Sequence, residues 1–166
     1  MLEAVVNILE QDILAALEDV KDPEIPVLSV VDLGIITGVE IKSENEVTVS
    51  MTPTFVGCPA IGMMQKDIRK RVEQMGFAKV DVVIDRSVAW NSNMITDKGR
   101  EALKNFKLAP PPKHDGNISL EMLALAKCPN CGSSNTSLRN PFGPTLCRSI
   151  HFCYDCKNAF EQMKPV

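Results

Sequence analysis

The chain has 166 residues and a mass of 18.3 kDa, room for one ordinary domain or one domain with a small appendage. Its 45% hydrophobic and 23% charged residues exclude wholesale disorder, and its net charge of −3 argues against a protein that works by neutralising nucleic-acid phosphates. No apolar run approaches the roughly 20 residues of a membrane-spanning helix, and the acidic start Met1 to Glu10 lacks the basic cluster of a signal peptide, so a cytoplasmic setting without membrane contact is expected.

Charge and cysteine are unevenly spread. Residues 1–109 hold 12 basic and 17 acidic side chains, whereas residues 110–166 hold 6 and 4. One cysteine stands at position 58, and the other five are Cys128, Cys131, Cys147, Cys153 and Cys156. Such clustering in a reducing compartment points to metal before disulfides.

Val5, Leu9, Ile13, Leu17 and Val20 recur every three or four positions and predict an amphipathic helix over 4–20. Pro23 ends it, and Asp22 to Pro26 becomes a rigid loop. Glycines 34 and 38 among β-branched residues predict a kinked or bulged strand over 35–41. Val47, Val49 and Met51 alternate with polar residues, giving a half-buried strand over 46–51 that closes a hairpin. A second helix is predicted over 59–75, with Ile61, Met64, Ile68, Val72 and Met75 inward and Gly76 as its C-terminal cap. Val80, Val82 and Ile84 predict a third strand over 79–85, and Thr96 caps a helix over 97–106.

The order α-β-β-α-β-α predicts an α/β (α+β) two-layer sandwich with a small mixed sheet. Pro110-Pro111-Pro112 then marks a linker, followed by a short apolar segment, Leu120 to Ala126. The expected division is an α/β domain over 1–109, linker and apolar segment over 110–126, and an appendage over 127–166.

The appendage contains Cys128-Pro-Asn-Cys131 and Cys153-Tyr-Asp-Cys156. A two-residue spacer lets both thiolates of a knuckle reach one cation, and two knuckles complete a tetrahedron around structural Zn²⁺. About 40 residues bury little core alone, so a metal staple is needed and a zinc ribbon built on one long hairpin is expected. Cys147 is a spare candidate ligand or a buried thiol; His151 is a second spare candidate or a surface or packing residue. The scattered basic and aromatic residues offer no evident platform for nucleic acid.

Cys58 precedes Pro59, a residue favoured at the first helical position, so Cys58 is predicted at the N-cap of the second helix. Two readings stand. A helix N-terminus favours a thiolate, which is a nucleophile or soft metal ligand; alternatively the thiol fills a small apolar space. Asp22 and Glu24 are either turn-capping residues or carboxylates of a mixed metal site with Cys58. No Ser/His/Asp arrangement, phosphate loop or nucleotide fingerprint is present, so no catalytic residues are assigned.

Asp22-Pro23-Glu24-Ile25-Pro26-Val27, Asp32-Leu33-Gly34, Thr52-Pro53-Thr54 and Gly57-Cys58-Pro59-Ala60 resemble the iron–sulfur assembly (SufT-like) domain family. Ala89-Trp90, Ile95-Thr96, Gly99-Arg100 and Ala109-Pro110-Pro111 lead into the four-cysteine ribbon with Phe142-Gly143-Pro144-Thr145-Leu146-Cys147. Together they resemble the PaaD-like accessory family of phenylacetyl-CoA epoxidase systems, over about 5–166. The resemblance implies a maturation helper in aerobic phenylacetate degradation rather than an enzyme. It implies as partners a PaaE-like reductase carrying flavin and a [2Fe–2S] cluster, a PaaABC-like di-iron oxygenase, and an iron–sulfur carrier. The family's reactive cysteine maps onto Cys58 and its acidic loop onto Asp22 and Glu24, with Thr54 in the same site and iron or an iron–sulfur cluster as transient cargo. Two other classes compete: a structural adaptor subunit of the oxygenase, and a thiol-redox enzyme. The latter lacks a nearby resolving cysteine in the sequence.

Overall fold

A computed structural model describes residues 8–55 and 57–166. They form two compact units, Met1–Ala89 and Trp90–Val166.

The first unit runs α1 (Glu10–Leu17), β1 (Ile36–Ser43), β2 (Glu46–Met51), α2 (Ile61–Glu73) and β3 (Lys79–Ile84). Its sheet has the order β1-β2-β3. The β1–β2 pair is an antiparallel hairpin, and β3 returns parallel to β2 because α2 intervenes as a crossover. The β1 register shifts between Ile36 and Gly38, which is the bulge that the strand glycine predicted. Alternation places Val47, Val49 and Met51 at 0% exposure, and Met64, Ile68 and Val72 form the buried stripe of α2. Helix α1 adds Ile13 and Leu17. Each such side chain contributes about 1.5–3 kcal/mol of burial, so a 13-residue crossover helix and a six-residue hairpin strand hold together.

The segment between α1 and β1 is more than a connector. Ile25, Leu28, Val30, Leu33 and Ile35 are all buried. Asp22 organises its start: its Oδ1 accepts the Glu24 and Ile25 amides at 2.7 and 2.9 Å. The Asp22 amide donates to the Leu28 carbonyl at 2.9 Å, and Gly34 takes φ +73° where the chain turns into β1.

The second unit starts at buried Trp90 and a 3₁₀ turn, Ser92–Met94. It continues with α3 (Asp97–Asn105), β4 (Leu108–Ala109), α4 (Leu120–Ala124), β5 (Thr136–Asn140), β6 (Arg148–Cys153) and β7 (Ala159–Met163). The sheet order is β4-β7-β6-β5, with β4 parallel to β7 and the other pairs antiparallel. Thr96 Oγ1 accepts the Gly99 amide at 3.0 Å, the cap predicted for α3.

Several expectations are corrected. Among the described residues the first helix spans only Glu10–Leu17, with residues 18 and 19 in a turn; Val5 and the stretch 4–7 lie outside the described residues. Strand β1 reaches Ser43 rather than ending at 41. The boundary falls at 89/90 rather than 109/110, because α3 and β4 join the second sheet: Leu108 and Ala109 pair with Glu161 and Gln162. The Pro-rich stretch, expected as a linker stiffened only by its prolines, is also anchored by side-chain hydrogen bonds. Buried Arg100 donates from Nη1 to the Pro111 carbonyl at 2.5 Å and from Nη2 to the Ser92 carbonyl at 2.6 Å. The appendage supplies three strands of a four-stranded sheet rather than one long hairpin, since β7 pairs with both β6 and β4.

Candidate metal centre and the Cys58 loop

The two knuckles are built alike. In the first, the Gly132 amide donates to the Cys128 carbonyl at 2.8 Å and the Cys128 amide to the Ser133 carbonyl at 2.9 Å. In the second, the Cys153 amide donates to the Asn158 carbonyl at 2.9 Å. The residue after the second cysteine is left-handed in both: Gly132 at φ +77° and Lys157 at φ +62°. Glycine removes the steric cost in the first knuckle; Lys157 bears it in the second.

These turns bring the Sγ atoms of Cys128, Cys131, Cys153 and Cys156 within 4.8 Å of one another. Cys128 to Cys156 and Cys131 to Cys153 are each 3.6 Å apart. A tetrahedron with metal–sulfur bonds of about 2.3 Å has edges of about 3.8 Å, so the four sulfurs fit one thiolate-preferring cation. All four positions are protein sulfur, leaving no open coordination site. Without a cation the cluster resists full ionisation. The Ser133 amide favours the Cys131 thiolate, yet burial and the other three thiols push this thiol up to about 12; the Asn158 amide holds Cys156 down at about 7. A dication removes that conflict by taking all four as thiolates.

The centre also has a brace that the sequence reading missed. Asp155, inside the second knuckle, accepts from Ser133 Oγ and from Asn135 Nδ2 at 2.8 Å. The Tyr154 amide donates to the Asn135 carbonyl at 2.9 Å. The signal was available in Ser133-Ser134-Asn135, turn formers directly after the first knuckle.

Neither spare ligand joins the cluster. Cys147 is half-buried, with its Sγ 3.0 Å from Thr145 Oγ1. His151 is fully buried, stacked on Phe160 with ring centroids 5.4 Å apart, and its Nε2 lies 3.0 Å from Ser149 Oγ. Burial lowers its pKa and keeps it neutral despite the opposing Gln162 side chain.

Cys58 is the one cysteine of the first unit and is half-buried. It is not the N-cap: α2 starts at Ile61, with Ala60 at the cap. The Cys58 amide donates to the Phe55 carbonyl at 3.2 Å and its carbonyl accepts the Ile61 amide at 3.3 Å, so Pro59 and Ala60 form a turn ahead of the helix. Gly57, at φ +81°, makes the preceding reversal. The first turn of α2 has no acidic residue and its last turn has Lys70 and Arg71, so the helix dipole is complemented at one end only. Thr54 is half-buried in the same loop. Buried Thr52 ties the loop's base down by donating from Oγ1 to the Val88 carbonyl at 2.7 Å. Asp22 is committed to its turn, and Glu24 is half-buried beside it. Among the described residues the four ribbon cysteines are the group of three or more ligands that converges on a point; Cys58, Asp22 and Glu24 do not form another.

Comparison with known proteins gives each unit a counterpart. Residues 10–85 match the model of the iron–sulfur cluster assembly protein family, and residues 114–164 match the PaaD zinc beta ribbon domain. The chain is 35% identical over 153 residues to a protein of Escherichia coli (strain K12) that is named as one subunit of a "Putative 1,2-phenylacetyl-CoA epoxidase", covering 92% of this chain and 91% of that one. Over 90 residues it is 39% identical to an Fe–S protein maturation auxiliary factor of Porphyromonas gingivalis, covering 54% of this chain and 85% of the relative. The crystal structure of a DUF59 domain from Bacillus anthracis superposes with a TM-score of 0.53 at 27% identity, covering 57% of this chain and 90% of that one. With an assembly-type α+β unit followed by a four-cysteine ribbon, and likeness along nearly the whole length of the Escherichia coli relative, the chain belongs to the PaaD family.

Proposed function

We propose that the protein is an accessory factor without turnover of its own, which matures the iron–sulfur or other metal centre of a phenylacetyl-CoA-epoxidising oxygenase–reductase system. The observation that carries this reading is the pairing of an iron–sulfur-assembly unit with a PaaD-type ribbon in one chain. Division of labour follows from the sulfur chemistry. The ribbon cysteines form a closed S₄ set suited to a resident structural Zn²⁺. Cys58 belongs to the first unit, on a loop ahead of a helix N-terminus, with a half-buried thiol. It handles iron or a cluster in passing, with Thr54, Asp22 and Glu24 shaping the surface that meets the carrier or the reductase. The work takes place in the cytoplasm.

The test is maturation of the client. Reductase produced with wild-type protein should carry its full [2Fe–2S] content, and reductase produced with Cys58→Ser should not, while the variant keeps one zinc. Full cluster content with the variant would remove Cys58 from the mechanism. A second reading, a non-catalytic adaptor subunit of the oxygenase, draws on Phe142 and Leu146, which stand 65% and 66% exposed in the ribbon. Stable stoichiometric co-purification with active oxygenase, undisturbed by Cys58→Ser, would favour it.

A further inference from the structure

The second unit contains a half-open groove of about 750 Å³. Its lining includes the anchored run Pro110, Pro111 and Pro112, the segment Ala124 to Lys127, and Thr136 at the start of β5. The volume lies in the range of ligand sites. The proline wall is fixed, because Arg100 holds the Pro111 carbonyl.

Two further observations say what belongs there. First, helix α4 buries none of its five residues, and Leu120 and Leu125 stand 80% and 67% exposed. A single helical turn is marginal alone in water, and clustered exposed leucines mark an interaction surface. Exposed apolar side chains thus continue along the chain from the groove lining at Ala124 and Leu125 to Leu120, with Glu121 the one acidic residue of α4. Second, the charge is one-sided. Lys104 and Lys127 line the groove, Lys107 reaches the Pro129 carbonyl at its edge at 3.4 Å, and no carboxylate is among the lining residues described. Glu101 engages Lys104 at 3.2 Å, but both side chains are more than half exposed and such a pair is weak. The four-thiolate centre adds negative charge, but Cys128, its ligand in the groove wall, is 1% exposed, whereas the ammonium groups stand at the rim.

We propose that this groove docks a short segment of a partner protein in which apolar side chains are flanked by Asp or Glu. The apolar residues fill the space between the proline wall and Leu125, and the acidic flanks meet Lys104 and Lys127. The site is independent of Cys58 and goes beyond the maturation reading.

The test uses the full metal-loaded chain and a phage-displayed library of random dodecapeptides. Selected sequences should converge on large apolar residues flanked by Asp or Glu. The selected peptide, titrated in solution by fluorescence polarisation, should lose about tenfold or more in affinity to Leu125→Ser and to Lys127→Glu, and little to Lys127→Arg. Lys66→Glu, on the first unit, should leave binding unchanged, and all variants should keep wild-type metal content and circular dichroism. Selection without an acidic–apolar consensus would overturn the proposal, as would undiminished binding by a folded Lys127→Glu variant. The titration does not involve Cys58, so its failure leaves the maturation assay untouched, and the converse holds.

Discussion

The two units solve the same problem with different materials. The first buries Ile13, Leu17, Val47, Val49, Met51, Met64, Ile68 and Val72, aliphatic side chains from two helices and a sheet. The second has a core cluster of Ala109, Ala126, Cys128, Cys153 and Phe160, with Cys156 packed against it. Two of that cluster's five members are therefore among the four converging cysteines. Beside the apolar side chains it also buries, Leu103, Leu108 and Met163 among them, this small unit packs around sulfurs placed to suit a metal, and the cysteines divide accordingly: four converge on one point, and Cys58 and Cys147 are left outside them.

The sharpest break of this comparison is to remove the metal bonds. Cys153→Ser, at a fully buried ligand, should unfold β5 to β7, since structural zinc sites contribute apparent binding free energies on the order of 10 kcal/mol. Amide exchange should show those strands losing protection while β2 and α2 of the first unit keep theirs. Retained protection in β6 and β7 would show that aliphatic packing suffices there. Next comes Ile68→Ala, at 0% exposure on α2. It should cost about 3 kcal/mol through lost burial and a cavity, read as a lower urea midpoint for the first unit's amides, with metal content unchanged.

A smaller effect tests local encoding. Thr96→Ala removes the α3 cap and should cost about 1 kcal/mol, visible as faster exchange in the first turn of α3. The smallest is electrostatic. Glu46 accepts a hydrogen bond from Lys79 Nζ at 2.7 Å across β2 and β3, and this contact lowers the Glu46 pKa below its usual 4.5. Stabilisation from a depressed carboxylate is complete above its unfolded value and is lost as pH falls through the folded one. Lys79→Gln should therefore flatten the acid limb of the first unit's stability below about pH 4.5, in low salt only, because the pair is exposed.

Much of the first unit was legible because hydrophobic period and secondary structure coincide there. The alternation in Val47, Val49 and Met51 marked β2 at the ends the structure gives it, Glu46–Met51. Period and glycine placement also set the core of α2 and the β1 bulge. The knuckle spacing likewise named all four sulfurs that converge. The start of α2 was less legible. Pro59 suits the first helical position, but the Phe55 and Cys58 backbone bonds make a turn there instead, shifting Cys58 off the cap. A local preference was overridden by the loop's own hydrogen bonds.

The chain sequence by itself determined the two kinds of core and the ligand set, since both follow from residue type and short-range spacing. Tertiary structure decided the rest. It moved the boundary to 89/90 by pairing two residues, Leu108 and Ala109, with a strand more than 50 positions away. It turned three prolines from a spacer into a fixed wall by aiming Arg100 at a carbonyl. It left Cys147 and His151 out of the cysteine cluster: Cys147 stands just ahead of β6 against Thr145, and His151 packs against Ser149 and Phe160. Contacts between distant residues carry no periodic signature, so only the folded chain could reveal them.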